Sequence, residues 1–392
     1  MSQPYFQKRT KNIQNLLRQD LRFLHIIIGP RQTGKTTAAG QIEASWPGRS
    51  LYATADSPIP PGTPWLHHQW NRASSIGPGA LLIIDEVQKI TGWSETVKQL
   101  WDTSLRNSVN LRVLLLGSSS LLIQKGLSES LSGRFLLHPF SHWGFSECHR
   151  AFDYSLDEWL YFGGYPGAAP LRANQDVWRN YIRDSLVDTV LNRDILQTQT
   201  VHKPALLRQL FLLACGYPSH ILSWSKMIGQ LTDAGNTTTL AHYAEILRSA
   251  FLLSGLDLYR TGERKRRSSP KLIVWNNGLA HAIQNTSFEK AQRDTEWWGF
   301  IVENAVGAHM LNNLRDFTSD LYYWRHRNEE VDFVLSSPRK LWAIEVKSSR
   351  MKNPKGLSTF CRLYPNAKPF IVGGSGMPLE QFFMEEPKNL FS

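Results

Sequence analysis

The sequence predicts an α/β protein of more than one domain, built on a parallel sheet, with a helical middle and a second, C-terminal α/β domain. Three observations predict it. Apolar runs at Leu24–Ile28, Ser50–Thr54, Leu81–Ile84, Leu111–Leu116 and Leu136–Pro139 alternate with helix-compatible stretches, the pattern of parallel strands covered on both faces. The first run feeds directly into Gly29-Pro30-Arg31-Gln32-Thr33-Gly34-Lys35-Thr36-Thr37, and a helix over Thr36–Ala44 leaves it. Short strand-like runs also crowd the region beyond residue 270.

In chain order, Asn12–Asp20 has the spacing of a helix leading into the first strand. Ser57–Pro64 is rich in proline and reads as a loop. Trp65–Ala73 and Glu95–Arg106 read as helices, and a short helix ends at Leu131. The N-terminal core is expected over residues 1–150. From 151 to 270 the pattern turns helical: Leu156–Phe162 stopped by Gly163-Gly164-Tyr165-Pro166-Gly167, then Val177–Leu196 and Lys203–Ala214. Ser223–Leu231, Thr237–Ser249 and the strand Phe251–Tyr259 have the order of a helix-turn-helix with a wing. The last domain, 271–392, carries strands Lys271–Trp275, Leu321–Trp324, Val331–Leu335, Leu341–Val346 and Pro369–Val372. Helices Trp297–Leu314 and Gly356–Tyr364 interleave with them.

Composition narrows the class. At 392 residues, 42% hydrophobic and 20% charged, the chain is a soluble globular protein of two or three domains. Its longest apolar runs are far too short to cross a bilayer, and Met1–Asp20 lacks a secretory apolar core. Cys148, Cys215 and Cys361 lie far apart without metal-ligand spacing, which fits reduced thiols in a cytoplasm. A net charge of +11 attracts polyanions, nucleic acid among them. Most of the 14 tryptophans are expected in cores, a few being free for base stacking.

The glycine-rich segment between strand and helix is a phosphate loop. Its glycines let successive N–H groups curl around a phosphate, Lys35 reaches the β- and γ-phosphates, and the Thr36 hydroxyl offers Mg²⁺ a ligand. The helix after it points its positive end at the same anion. ATP with Mg²⁺ is the expected cofactor. About 50 residues on, Leu81–Ile84 delivers Asp85 and Glu86. Asp85 suits the metal, through water, and Glu86 suits the polarisation of an attacking water. Ser118 and Ser119, after the next strand, are placed to contact the γ-phosphate or the water, or else to cap a helix. Arg134, before the last strand, fits a residue that reaches a neighbouring subunit's γ-phosphate; the alternative is an ordinary surface ion pair. The first reading makes the protein a homo-oligomer, a hexamer ring.

In the C-terminal domain Glu303 lies on the helix Trp297–Leu314, Asp332 early in Val331–Leu335, and Glu345 and Lys347 at the end of Leu341–Val346. Strand alternation puts Glu345 and Lys347 on one side. Carboxylates converging beside a lysine can hold Mg²⁺ and cut a phosphodiester; equally, such a site survives in binding modules that do not cut. The basic residues Arg260, Arg264, Lys265, Arg266, Arg267 and Lys271 follow the expected wing, where they suit DNA phosphates or form a solvated loop.

The order phosphate loop, Asp-Glu strand, polar strand end, arginine before the last strand resembles the AAA+ superfamily. More narrowly, GPRQTGKTT at 29–37, LLIIDEVQKI at 81–90, GSSSLL at 117–122, LSGRF at 131–135, FGGYPG at 162–167 and Arg193-Asp194-Ile195 resemble the prokaryotic AAA_14-type ATPases with a C-terminal DUF4143 domain. The resemblance implies a P-loop AAA+ core, a helical and winged-helix middle, and a restriction-endonuclease-like PD-(D/E)xK fold at the C-terminus. Arg179, Arg183 and Arg193 are unranked candidates for a second sensor arginine. Three functions follow as expectations: a cytoplasmic oligomeric ATPase that moves on or remodels DNA, a nucleotide-dependent switch that binds a protein partner, or a metal nuclease with ATP as a structural ligand.

Overall fold

The computed structural model describes residues 5, 7–19, 22–117, 130–233, 235–260, 268–314, 319–347 and 355–391. The chain divides into two compact units, 1–141 and 142–392.

In the first unit, α1 (Lys8–Arg18), β1 (Leu24–Ile28), α2 (Lys35–Ala44), β2 (Ser50–Thr54), α3 (Thr63–Ile76), β3 (Ala80–Asp85), α4 (Trp93–Arg106), β4 (Leu111–Gly117) and β5 (Phe135–Pro139) follow in order. The strands form one parallel sheet, β2-β3-β4-β1-β5. Alternation along each strand splits the apolar residues between two cores. Leu24, Ile26, Ile28, Leu82, Ile84, Val113 and Leu115 pack with Leu66 and Trp70 of α3 and Val97 and Trp101 of α4. Ile27, Leu81, Ile83, Leu114 and Leu116 pack with Ile13 and Leu17 of α1 and Ala38, Ala39 and Ile42 of α2. Both faces are therefore covered, which is why β1 and β3 are buried at every position and read as near-continuous apolar runs, His25 and Asp85 being the polar exceptions. The connection between β1 and α2 meets the carboxyl end of β3 where Thr36 contacts Asp85.

His25 on β1 and His138 on β5 stack at 5.1 Å between ring centroids, with His25 Nδ1 3.0 Å from His138 Nε2. Burial disfavours the imidazolium, helped at His25 by the Arg112 charge and at His138 by His25, so their pKa values fall to about 4 and about 3. An unfolded histidine titrates near about 6.5. Below that pH the unfolded chain takes up protons that the fold refuses, so stability falls as the pH drops towards 4. Thermal melts should lose about 1 kcal/mol per pH unit for each histidine between pH 6 and 5. His138→Gln should flatten that slope, and parallel profiles for the two proteins would exclude the pair as its source.

In the second unit, helices Phe145–Phe152 and Leu156–Phe162 come first, the latter capped by Ser155, whose Oγ accepts from Glu158 N at 3.2 Å. The stretch expected as one helix over Val177–Leu196 is helical but wound more widely, with π-helical turns over Tyr181–Val187 and Val190–Asp194. Helix Pro204–Gly216 leads to the short Trp224–Ile228, then Thr237–Ser249. An antiparallel pair follows, β6 (Leu253–Leu256) with β7 (Lys271–Val274). Because β7 pairs back onto β6, the expected division at 270/271 runs between two hydrogen-bonded strands. The sequence reading placed no element at Asn277–Gln284 or Phe288–Arg293, where the chain forms helices. The long helix Thr295–Asn313 then precedes a four-stranded sheet. That sheet is β11-β10-β9-β8, from β8 (Asp320–His326), β9 (Glu329–Ser336), β10 (Leu341–Lys347) and β11 (Ala367–Gly373). Only β10 and β11 are parallel in it. Among the described residues no helix is long and apolar enough to cross a membrane.

Candidate functional site

The phosphate loop turns where its residues allow. Gly34 (φ 89°) and Gln32 (φ 59°) take left-handed backbone at the start of α2. Gly29 has no room for a side chain, since a Cβ there would lie 2.0 Å from the Phe140 carbonyl oxygen. Thr33 Oγ1 ties the loop down by donating to Pro30 O (3.0 Å) and Phe140 O (3.1 Å). Gly29→Ala must push the loop off Phe140. We expect it to cost about 1–3 kcal/mol by overpacking and to abolish nucleotide binding, read by thermal melts and a fluorescent ATP analogue.

Lys35 is buried, and its Nζ donates to Gly29 O (3.1 Å) and Pro30 O (2.7 Å), folded back into the loop that a phosphate would fill. Thr36 and Thr37 begin α2 on its exposed side, Gln32 is exposed and Arg31 half-buried. Across the site, the Thr36 hydroxyl donates to Asp85 Oδ2 at 2.9 Å. The sequence thus brings the loop and the β3 carboxylate, 49 positions apart, into contact. Asp85 Oδ1 accepts from the backbone N–H of Glu86 at 2.9 Å. Glu86 takes left-handed backbone (φ 53°), which turns its side chain away from the strand direction, and Gln88 Nε2 donates to it. A hydroxyl and a carboxylate oxygen meeting beside a lysine are hard donors that fit Mg²⁺.

Sequence reasoning missed Tyr52. Its hydroxyl donates to Asp85 Oδ2 at 2.6 Å, and burial followed by this hydrogen bond to a carboxylate raises its pKa. The register pairs Tyr52 with Ile83 and Thr54 with Asp85, so Tyr52 and Asp85 share one face. Arg134, at the foot of β5, is engaged in its own unit: Nε lies 2.8 Å from Asp102 Oδ1 and a second nitrogen 3.1 Å from Oδ2. That bidentate hydrogen bond holds the Asp102 carboxyl below its ordinary range. Ser118 and Ser119 lie outside the described residues.

Residues 22–149 match a family model described as an AAA domain (AAA_14), and 298–381 match DUF4143, a domain of unknown function. This is an AAA-type ATPase with a C-terminal DUF4143 domain. A second domain of unknown function, DUF8612, matches 153–290 and crosses the boundary expected at 270. An uncharacterised protein of Mycobacterium tuberculosis is 28% identical over 332 residues, covering 82% of this chain and 69% of the relative. An uncharacterised protein of Haemophilus influenzae is 22% identical, with 93% of each chain covered. Among solved structures, a Walker-type ATPase of Pyrococcus abyssi aligns over 72% of this chain and 99% of its own, with 14% identity and a TM-score of 0.48.

The DUF4143 region of this ATPase carries the second acidic set, and it differs from the expected one. Glu303, Glu330 and Asp332 each offer a carboxylate oxygen within 4.8 Å of the others. Glu330 was not among the expected ligands. Glu345 turns instead to Lys347, whose Nζ donates to its Oε1 at 2.5 Å. Lys271 was expected to face DNA; it is 0% exposed, and its ammonium lies 2.5 Å from Glu303, 3.3 Å from Glu330 and 3.9 Å from Asp332. Lys271 is thus removed from the basic run by its position in a buried strand.

Ser219 Oγ donates to Glu303 Oε1 at 2.8 Å, and Val346 N donates to Asp332 Oδ2 at 2.7 Å. Burial alone would lower the Lys271 pKa, but Glu303, Asp332 and Glu330 outweigh it and raise it. Burial, then the Glu303 charge, raises Asp332 well above the ordinary carboxylate range. Burial also raises Glu345, against the hydrogen bond from Lys347. Of the remaining basic run, Arg260 is exposed, and Arg264, Lys265, Arg266 and Arg267 lie outside the described residues. Arg179 and Arg183 pair with Asp176 and Asp184 at 2.7 and 2.8 Å.

Proposed function

We propose that this ATPase is a Mg²⁺-dependent ATP hydrolase that works as a homo-oligomer, a hexamer ring, to move on or remodel DNA. The contact of Thr36 with Asp85 at the phosphate loop carries the hydrolytic part of the reading. Mg²⁺ bound there would neutralise phosphate charge. Lys35 would exchange its bonds to Gly29 and Pro30 for phosphate oxygens, and Glu86 would take the proton of the attacking water. Arg134, which presents a third of its side chain to solvent, would leave Asp102 to meet the γ-phosphate of a neighbouring copy.

The DNA part rests on the net charge of +11 and on where the basic residues fall. Arg260 to Arg267 occupy the connection between β6 and β7, which follows helices Trp224–Ile228 and Thr237–Ser249. A wing in that position touches phosphate backbone without reading sequence. ATP hydrolysis should be measured against duplex, single-stranded and branched DNA, with Glu86→Gln as the control. Stimulation by one form that vanishes in the variant supports a DNA-dependent motor. A flat response with normal basal hydrolysis would refute it.

One observation favours a second reading, a nucleotide-dependent switch that binds a protein partner through an inactive nuclease-like scaffold. Lys271 sits among the carboxylates that a cleaving metal would need. A stoichiometric protein partner recovered without DNA, and released on ATP hydrolysis, would support this reading over the motor.

A further inference from the structure

We infer that Lys271 is the resident cation of the C-terminal carboxylate cluster: its ammonium occupies the position that a divalent metal would need, so the nuclease-like fold binds no catalytic metal. Among the described residues, the three carboxylates that could share a metal are the three that pair with Lys271. A divalent ion would sit about 2.0–2.6 Å from their oxygens, in the space the Nζ already fills. Other acids of the cluster are also bonded from within the chain, although Glu345 Oε2 is buried without a partner. Ser219 supplies a hydrogen bond to Glu303, and Val346 one to Asp332. Lys347 holds Glu345, the fourth acid.

Lys271 cannot readily withdraw. Its residue is fully buried, and the Phe333 ring lies 5.0 Å beneath its ammonium. Its backbone is bridged to Leu256 on one side and Ile221 on the other. Because the residue is fully buried, the ammonium can leave only by disturbing the side chains packed around it. A second cation brought among the carboxylates would meet a fixed positive charge at contact distance, where repulsion is strongest in a water-poor site. The cluster is an internal ion pair network that keeps the outline of a metal site.

The test is independent of what stimulates the ATPase, since it reads metal binding without nucleotide. Full-length chain carrying Asp85→Asn, which removes the metal ligand of the ATP site, is titrated with Mn²⁺ and free Mn²⁺ is followed by EPR. No site tighter than about 1 mM is expected, a limit at the weak end for oxygen-ligand sites. Adding Lys271→Ala should create one Mn²⁺ site per chain, and adding Asp332→Asn should abolish it. The inference is overturned if the chain with Lys271 intact binds one Mn²⁺ that Asp332→Asn removes. That comparison decides the matter even if Lys271→Ala does not fold. It is equally overturned if Lys271→Ala, shown folded by circular dichroism, gains no Mn²⁺ site.

Discussion

Glu86→Gln is expected to leave ATP binding intact and to slow its hydrolysis by about 10²–10⁴-fold, the usual contribution of a positioned general base. The substitution is isosteric, so it keeps the turn at the end of β3, where the Glu86 N–H bonds Asp85 Oδ1. The donation from Gln88 can be kept by the amide oxygen. What disappears is the ability to accept a proton. Asp85, Thr36 and Lys35 stay in place, so the nucleotide should bind with little change. Single-turnover hydrolysis beside equilibrium binding of a fluorescent ATP analogue separates the two effects. A variant that hydrolyses within a few-fold of the parent would remove Glu86 from the reaction and shift the base to another group.

How much of this was legible in the sequence depends on how local each feature is. The phosphate loop, its strand and its helix are contiguous, and the strand ending in Asp85-Glu86 is a single apolar run. Nothing distant is needed to read them, and β1 and β2 have the boundaries expected from their residues. The C-terminal strands were legible for the same reason. The site around Lys271 was not, because residues 219, 271, 303, 330 and 332 meet only through tertiary packing. Charge content made Lys271 look like the end of a basic run. A finer signal was present: Lys271 opens the run Lys271–Val274, and alternation puts it on the same side as Ile273, which is fully buried. A lysine on the core side of a strand must bring a carboxylate with it, and Glu303 is that partner. Tyr52 was missed on similar grounds, since an aromatic residue in a strand ordinarily signals core, and its hydroxyl contact with Asp85 depends on the register between β2 and β3.

Lys271→Met should destabilise the C-terminal unit by about 3–5 kcal/mol, the range for removing one partner from a buried ion pair. The methionine fills much of the same volume above Phe333, so the loss is electrostatic rather than a cavity. Glu303, Glu330 and Asp332 would then face one another with no cation between them. Lys347→Met removes a cation with more access to solvent, 29% exposed at its side chain against 0% for Lys271. We expect that change to cost distinctly less. Urea unfolding of the full chain, followed by a probe in the C-terminal unit, measures both.

The pH dependence of the loss has a definite sign. Without the ammonium the three acids repel one another, a penalty present when they are ionised and relieved as they take up protons. The Lys271→Met defect should therefore be larger at pH 8 than at pH 5, opposite to the acid weakening that buried His25 and His138 cause in the first unit. Glu303→Gln in the Lys271→Met background should recover part of the stability, because it removes one of the repelling charges. If Lys271→Met costs under about 1 kcal/mol, in the range of exposed pairs, the ammonium is not holding the cluster together. In that case the carboxylates are already neutralised in some other way.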